Sequence, residues 1–135
     1  MAEDPQIIGE DQLKTIPVFI PDSTILSVGE GGTGANAEGV PADHQRYIYF
    51  AKMWNLGAAT IASIYESLAG VLQLKDQQLL TQNQTQQIPS AGPSDLPVYR
   101  FRSSSFVRIQ LSGVGGVTAS GVGVTLEFLD RPGGA

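Results

Sequence analysis

The sequence has no cysteine among its 135 residues and only one histidine, His44. The absence of cysteine excludes disulfides and thiolate metal sites. One histidine cannot make a typical zinc or non-haem iron site, so we expect no metal and no cofactor. A serine-histidine-acid triad would have to use His44, but capping and a solvated ring explain His44 and its neighbour Asp43. We therefore expect no catalytic residue and no enzyme.

Charged residues are scarce as well. They make up 16% of the chain, against about 25% in an average protein. Eight basic and 13 acidic residues give a formal net charge of −5, and Lys and Arg nowhere form a run. The only basic cluster, Arg100, Arg102 and Arg108, is expected to be solvated on an exposed sheet face. A nucleic-acid binder needs a basic patch to displace counterions, so we expect no nucleic-acid partner.

Long apolar runs are also missing. No stretch reaches the roughly 18 residues of a membrane span, so we expect no membrane partner. Residues 1–11 are acidic and lack the basic start and apolar run of a signal peptide. Synthesis in a cytoplasm is therefore the expectation.

Differences in composition divide the chain into three segments, which together predict an α+β fold. Residues 1–42 are acidic and rich in Pro and Gly, which predicts an extended docking arm that is poorly ordered alone. Residues 43–87 are rich in Ala, Leu and Gln without Pro, which predicts a helical oligomerisation segment. Residues 88–135 carry Pro, Ser, Gly and β-branched residues, which predicts an antiparallel β module. Residues 81–95 are expected to form a linker.

The predicted helix, long or broken, begins after Pro41 with Asp43 as its N-cap. Ten positions then recur in alternating steps of four and three, nine of them apolar and the tenth Lys75, like the heptad seam of a helix that packs on copies of itself. Gly57 and Gly70 each cost about 1 kcal/mol in a helix and can break it. An ordinary amphipathic helix on the chain's own sheet is the open alternative. The predicted seam consists of Tyr47, Ala51, Trp54, Ala58, Ile61, Tyr65, Leu68, Leu72 and Leu79.

The C-terminal segment shows period-two alternation of apolar and polar residues. It spans residues 98–102, 106–111 and 122–128, and serines and glycines between these runs mark turns. This pattern is typical of half-buried antiparallel strands. A sheet of three or four strands needs a second layer, which the helix or another subunit could supply.

Four glycines form the remaining motif: Gly29, Gly31, Gly32 and Gly34. They fit the dinucleotide pattern G-x-G-x-x-G literally, but that reading needs a helix opening within the motif and an acid about 20 residues further on. Pro41 precedes any predicted helix, and residues 50–56 contain no acid. We expect a glycine loop that serves close backbone packing.

Residues 26–35, Leu-Ser-Val-Gly-Glu-Gly-Gly-Thr-Gly-Ala, are similar to a recurring element of phage tail fibres, in which a short apolar strand precedes Gly-Gly-Thr-Gly-Ala. The resemblance implies a non-catalytic, usually trimeric structural protein of the bacteriophage virion, of fibre or fibre-adaptor type. Its glycines would let three chains pass closely at a shared axis. Other virion proteins would be its partners, with the arm attached to the capsid or tail.

Three other functions stay open at this point. A capsid-decorating cement protein would use the same arm, helix and sheet. A ligand- or carbohydrate-binding β module with an oligomerisation helix would be favoured by exposed aromatic side chains near Tyr99 and Phe101. An enzyme without a recognisable motif is the third.

Overall fold

A computed structural model describes residues 13–21, 25–30, 32–34, 37–55, 57–89, 96–115 and 121–132. These ranges contain β-strands and no α-helix. The strands in chain order are β1 Lys14–Ile20, β2 Leu26–Gly29, β3 Gly32–Thr33, β4 His44–Asn55, β5 Thr60–Leu68, β6 Val71–Leu80, β7 Thr85–Ile88, β8 Tyr99–Phe101, β9 Phe106–Gly113 and β10 Val122–Pro132.

The strands form two antiparallel sheets. The first sheet has the order β1-β10-β4-β7, and β8 also pairs with β4. Because β10 occupies one edge of β4, β7 and β8 lie end to end along the other edge, opposite Ala51–Trp54 and Arg46–Ile48 respectively. The second sheet has the order β3-β2-β9-β5-β6.

The main apolar core lies between the sheets, and a smaller cluster of Tyr47, Tyr49 and Leu129 is separate from it. The first sheet contributes residues such as Ile20, Met53 and Leu126, and the second contributes residues such as Ile64 and Ile109. Each of these side chains is at most 2% exposed. Two sheets around one core make a β-sandwich. The core draws on all three segments that composition distinguishes.

The predicted helix is wrong: the described part of residues 43–87 forms β4, β5, β6 and β7. Aromatic and β-branched residues crowd Tyr47–Trp54 and Thr60–Tyr65, and such residues fit a pleated surface better than a helix. Asp43 is no N-cap. It has a φ of 62° in a turn where the His44 N–H donates to the Pro41 carbonyl at 3.2 Å, a conformation that aspartate tolerates.

Two β-bulges explain why these strands resemble a helix in sequence. On β4, Ala51 faces Leu126 but Ile48 faces Phe128, so one residue of β4 is extra. Ile48 and Ala51 therefore both reach the core although they are three apart, which is a helical spacing. A second register shift lies between β5 and β6. Each bulge interrupts the period-two alternation that would have indicated a strand.

The predicted extended arm is also wrong for the described residues before 43. Strand β1 pairs with β10 from Lys14↔Phe128 to Ile20↔Val122, and β2 pairs with β9. In β1, Ile16, Val18 and Ile20 are buried while the residues between them are exposed, so this strand completes the core. Pro17 is accommodated because β1 is an edge strand. Residues 1–12 of the predicted arm lie outside the described residues.

Strands β8, β9 and β10 occupy the three stretches of C-terminal alternation, but they do not form a module of their own. Strands β8 and β10 belong to the first sheet and β9 belongs to the second. Residues 81–88, assigned to a linker by composition, hold a turn and strand β7. The second layer that the C-terminal strands need comes from the same chain.

Candidate functional site

The nine residues of the predicted oligomer seam are dispersed over the sandwich. Ala58 lies between strands, and the others are divided among three strands: Tyr47, Ala51 and Trp54 on β4, Ile61, Tyr65 and Leu68 on β5, and Leu72 and Leu79 on β6. Tyr47 and Ala51 are buried in the chain's own fold. Leu72 and Leu79, in contrast, are 40% and 57% exposed. The structure therefore does not bring the nine residues together as one surface.

Strand β6 presents the most concentrated exposed apolar surface of the described chain. Leu72 and Leu79 are joined there by Val71 and Leu74, which are 67% and 49% exposed. Among the described strands β6 pairs only with β5, so its other edge carries unpaired backbone groups. Such an edge is a template for pairing with another chain, and exposed apolar patches mark interaction sites. We call Val71, Leu72, Leu74 and Leu79, together with the unpaired backbone edge of this strand, the β6 edge.

A tight hairpin positions this edge. Only Ala69 and Gly70 connect β5 to β6, with φ angles of 52° and 82°. Positive φ at both central residues is the signature of a type I′ turn, whose twist matches that of the flanking strands. The turn therefore holds β6 in register with β5, and the apolar side chains keep a defined arrangement.

Polar side chains in the middle of β6 turn inward and tie it to the β8 region. The Tyr99 hydroxyl donates to Asp76 Oδ2 at 2.5 Å. Burial, assisted by this bond and by the Asp76 charge, raises the pKa of Tyr99 well above its usual value. Phe101 next to it is fully buried. Tyr99 and Phe101 therefore do not offer the exposed aromatic face that a ligand-binding module would need there.

The buried carboxylate of Glu66 makes the second tie. It accepts hydrogen bonds from the Arg102 N–H at 2.7 Å and from Arg102 Nε at 3.1 Å, and Lys75 Nζ lies 3.8 Å away. Burial alone raises the pKa of Glu66, but the two bonds from Arg102 and the charges of Lys75 and Arg102 outweigh it and hold that pKa below its usual range. Arg102 thus has a structural partner and is not merely a solvated surface arginine.

The glycine loop is a hairpin held by close backbone contacts. Gly29 on β2 faces Gly32 on β3, while Gly31 lies outside the described residues. A Cβ at Gly29 would lie 2.1 Å from the Glu38 carbonyl oxygen, so only glycine fits there. The Glu38 N–H in turn donates to the Glu30 carbonyl at 2.7 Å. Gly32 and Gly34 have φ angles of 117° and 67°, which other residues rarely adopt.

A cleft on the first sheet was not anticipated from sequence. It has a volume of about 360 Å³ and lies beside the end of β4 and the turn before β7. The lone tryptophan of the chain is its only sequence signal, and the helical spacing assigned that residue to the seam. The lining residues are Lys52, Trp54, Asn55, Asn83, Gln84 and Thr85.

The described ranges hold no group of three or more histidine, aspartate or glutamate side chains arranged to bind a metal ion. A membrane-spanning helix is likewise absent from the part of the chain that the structure describes. No protein-family model matches the chain, and no curated protein matches it.

Proposed function

We propose that this chain is a non-catalytic structural protein of a bacteriophage virion, of fibre or fibre-adaptor type. In this proposal it assembles as a homo-oligomer, with three copies as the expected number, through the β6 edge. The single observation that carries the proposal is the exposure of four large apolar side chains on one edge strand.

The position of the β6 edge favours a second copy of this chain as its occupant. Leu72 and Leu79 lie at opposite ends of β6, so a partner strand laid along the whole edge covers both. The central Lys75 and Asp76 are engaged within the chain's own fold by Glu66 and Tyr99. The exposed part of the β6 edge therefore consists mainly of apolar side chains and amide groups. Such a surface suits burial against another copy.

The glycine loop supports the virion assignment through its similarity to the fibre element. In the sandwich, its Gly29 allows the Glu38 backbone to approach closely. The same property would let chains approach each other in an assembly. Because β1 and β2 are built into the sheets, the attachment to capsid or tail in this proposal is confined to residues 1–12, which lie outside the described residues.

Light scattering coupled to size exclusion tests the assembly. We expect a particle with the mass of about three 14.3 kDa chains, which Leu72→Ser with Leu79→Ser converts to single chains. The matched control is Leu96→Ser with Val114→Ser, because Leu96 and Val114 are 57% and 39% exposed but do not belong to β6. Wild-type protein that runs as a single chain at about 100 µM would refute self-association.

Mass spectrometry of purified particles tests the virion assignment separately. We expect the chain in particles of the phage that encodes it, at a copy number divisible by three. Its absence from those particles would overturn the virion proposal even if the purified protein forms a trimer.

A further inference from the structure

The outer face of the first sheet carries a row of side chains that runs across four strands. Phe19 on β1 faces Gly123 on β10, Gly123 faces Trp54 on β4, and Trp54 faces Thr85 on β7. Opposite residues in antiparallel strands point to the same face of a sheet. Because Gly123 has no side chain, the two aromatic residues stand on either side of a gap.

Trp54 fills part of this gap by lying against the sheet. A Cβ built at Gly123 would lie 2.1 Å from Trp54 Cε2, 2.3 Å from Cζ2 and 2.5 Å from Nε1. The indole ring therefore covers the glycine backbone, an arrangement in which an aromatic side chain compensates for a glycine in a strand. Trp54 is also one of the residues that line the cleft.

Hydrogen bonds within the chain fix the opposite wall of the cleft. Buried Asn55 donates from Nδ2 to the carbonyls of Ala58 at 2.8 Å and Leu80 at 3.1 Å, which anchors the chain before the turn. Gln84 Oε1 accepts from the Thr81 N–H at 2.7 Å and from the Thr81 hydroxyl at 2.9 Å. The turn before β7 is thus held in one conformation without any ligand.

Three other polar side chains of the cleft have no hydrogen-bond partner among the described residues. They are the Lys52 ammonium, the Asn83 amide and the Thr85 hydroxyl, and all three line the cleft with Trp54. Asn83 is exposed at the tip of the turn, with a φ of 59°. An aromatic ring beside a few unpaired polar groups is the usual composition of a small-molecule site.

We infer that this cleft binds a carbohydrate, with one pyranose ring stacked on Trp54. The apolar C–H face of a pyranose matches the flat indole, and its hydroxyl groups match the donors and acceptors of Asn83 and Thr85. Lys52 adds a positive charge, which favours a sugar with a carboxylate, such as a hexuronate. The inference stands independently of the proposed function, because it uses the outer face of the first sheet and not the β6 edge.

The chain has one tryptophan, so tryptophan emission, excited apart from the four tyrosines, reports on the surroundings of Trp54. We propose titrating the full chain with glucose, N-acetylglucosamine and glucuronate, and screening it on a printed panel of neutral and acidic oligosaccharides. The expected result is a saturable change in emission, with glucuronate or uronate-containing glycans binding more tightly than neutral ones. Absence of binding to every sugar in the titration and on the panel would overturn the inference.

Variants that keep Trp54 locate the binding. Thr85→Val and Asn83→Gly remove a polar group while keeping the strand shape and the positive φ, and each should weaken binding about threefold to tenfold, as loss of one hydrogen bond predicts. Thr15→Val makes the same change as Thr85→Val on the same sheet, outside the cleft, and should leave binding unchanged. Binding that all these variants retain would place the sugar elsewhere and refute the site.

A further variant separates stacking from simple charge attraction. Lys52→Gln should weaken binding of glucuronate and leave binding of a neutral sugar within about twofold. If acidic glycans bind only at low salt, and Lys52→Gln abolishes that binding while Thr85→Val has no effect, the interaction is electrostatic and the stacked-sugar site is wrong.

Discussion

Strands β4 and β6 are similar in length, with 12 and 10 residues, and each contains a bulge. Strand β4 has partners on both edges, and Tyr47–Ala51 are all buried. Among the described strands, β6 has a partner on one edge only, and its Leu72, Leu74 and Leu79 are exposed although Leu80 is buried. Apolar side chains therefore stabilise the fold on β4, whereas on β6 they are free to contact another molecule. The difference lies in the position of each strand, since β4 runs between two neighbours in the first sheet whereas β6 lies at the margin of the second.

The largest effect should come from a buried charge on β4. Arg46 is 1% exposed and binds Asp130 of β10 through Nε at 2.8 Å and a terminal nitrogen at 3.0 Å. Its guanidinium also lies 4.3 Å from the Phe128 ring centroid. Arg46→Met leaves Asp130 without its cation, and we expect the free energy of unfolding to fall by about 3–5 kcal/mol. Urea denaturation at a fixed protein concentration measures this.

Arg100→Met is the matched control, because Arg100 lies on neighbouring β8 but is exposed. Its effect should stay within about 0.5 kcal/mol. If the two variants lose equal amounts of unfolding free energy, the buried contacts of Arg46 on β4 contribute no more than those of the exposed Arg100.

A medium effect should come from the link between β6 and the rest of the fold. The folded-state pKa of Glu66 lies below the ordinary value of 4.5, so its carboxylate stabilises the protein above pH 4.5 and loses that effect as the pH falls through the lower, folded-state pKa. Glu66→Gln should lower the free energy of unfolding at pH 7 by about 1.5–3 kcal/mol. Denaturation midpoints of both proteins should converge below about pH 4.5.

The exposed pair between Lys14 and Glu30, at 2.7 Å, provides the comparison for Glu66. Glu30→Gln should cost at most about 1 kcal/mol, because solvent screens the interaction. If Glu66→Gln costs the same at pH 3 as at pH 7, the charge of Glu66 contributes nothing to the link.

The smallest effect should be a gain in stability at the β5–β6 turn. Ala69 has a φ of 52°, a conformation that is unfavourable for a residue with a Cβ. Ala69→Gly should raise the free energy of unfolding by about 0.5–1 kcal/mol, because glycine adopts this conformation without strain. The same change at exposed Ala42, which is not among the positive-φ residues, should lower it by a similar amount. Thermal unfolding of both variants measures the difference, and a loss at both positions would contradict the role of the turn.

The C-terminal strands were predictable because their alternation is uninterrupted within residues 106–111 and 122–128. Pro17 lies on the edge strand β1, a position that suits proline because it cannot donate to a neighbouring strand. The helix prediction failed where the bulges on β4 and β6 break the alternation. The spacing of Ile48 and Ala51 then imitates a helical period although both reach the core of a sheet.

The cleft could not be predicted from local patterns. Trp54 and Thr85 are 31 positions apart, and their contact depends on the pairing of β4 with β7. The gap that Trp54 occupies depends in turn on Gly123 of β10. The tryptophan alone gave no indication of these partners.

The sequence by itself determined the absence of disulfides, the low surface charge, the alternation of the C-terminal strands and the need for glycine in a tight loop. Each of these follows from residue chemistry or from positions close together in the chain. The tertiary structure decided that β4, β5 and β6 are strands, that β4 is enclosed while β6 is an edge, and that Trp54 lies over Gly123. These properties depend on pairing between distant residues, and the free energy of burial against such neighbours overrides local preference.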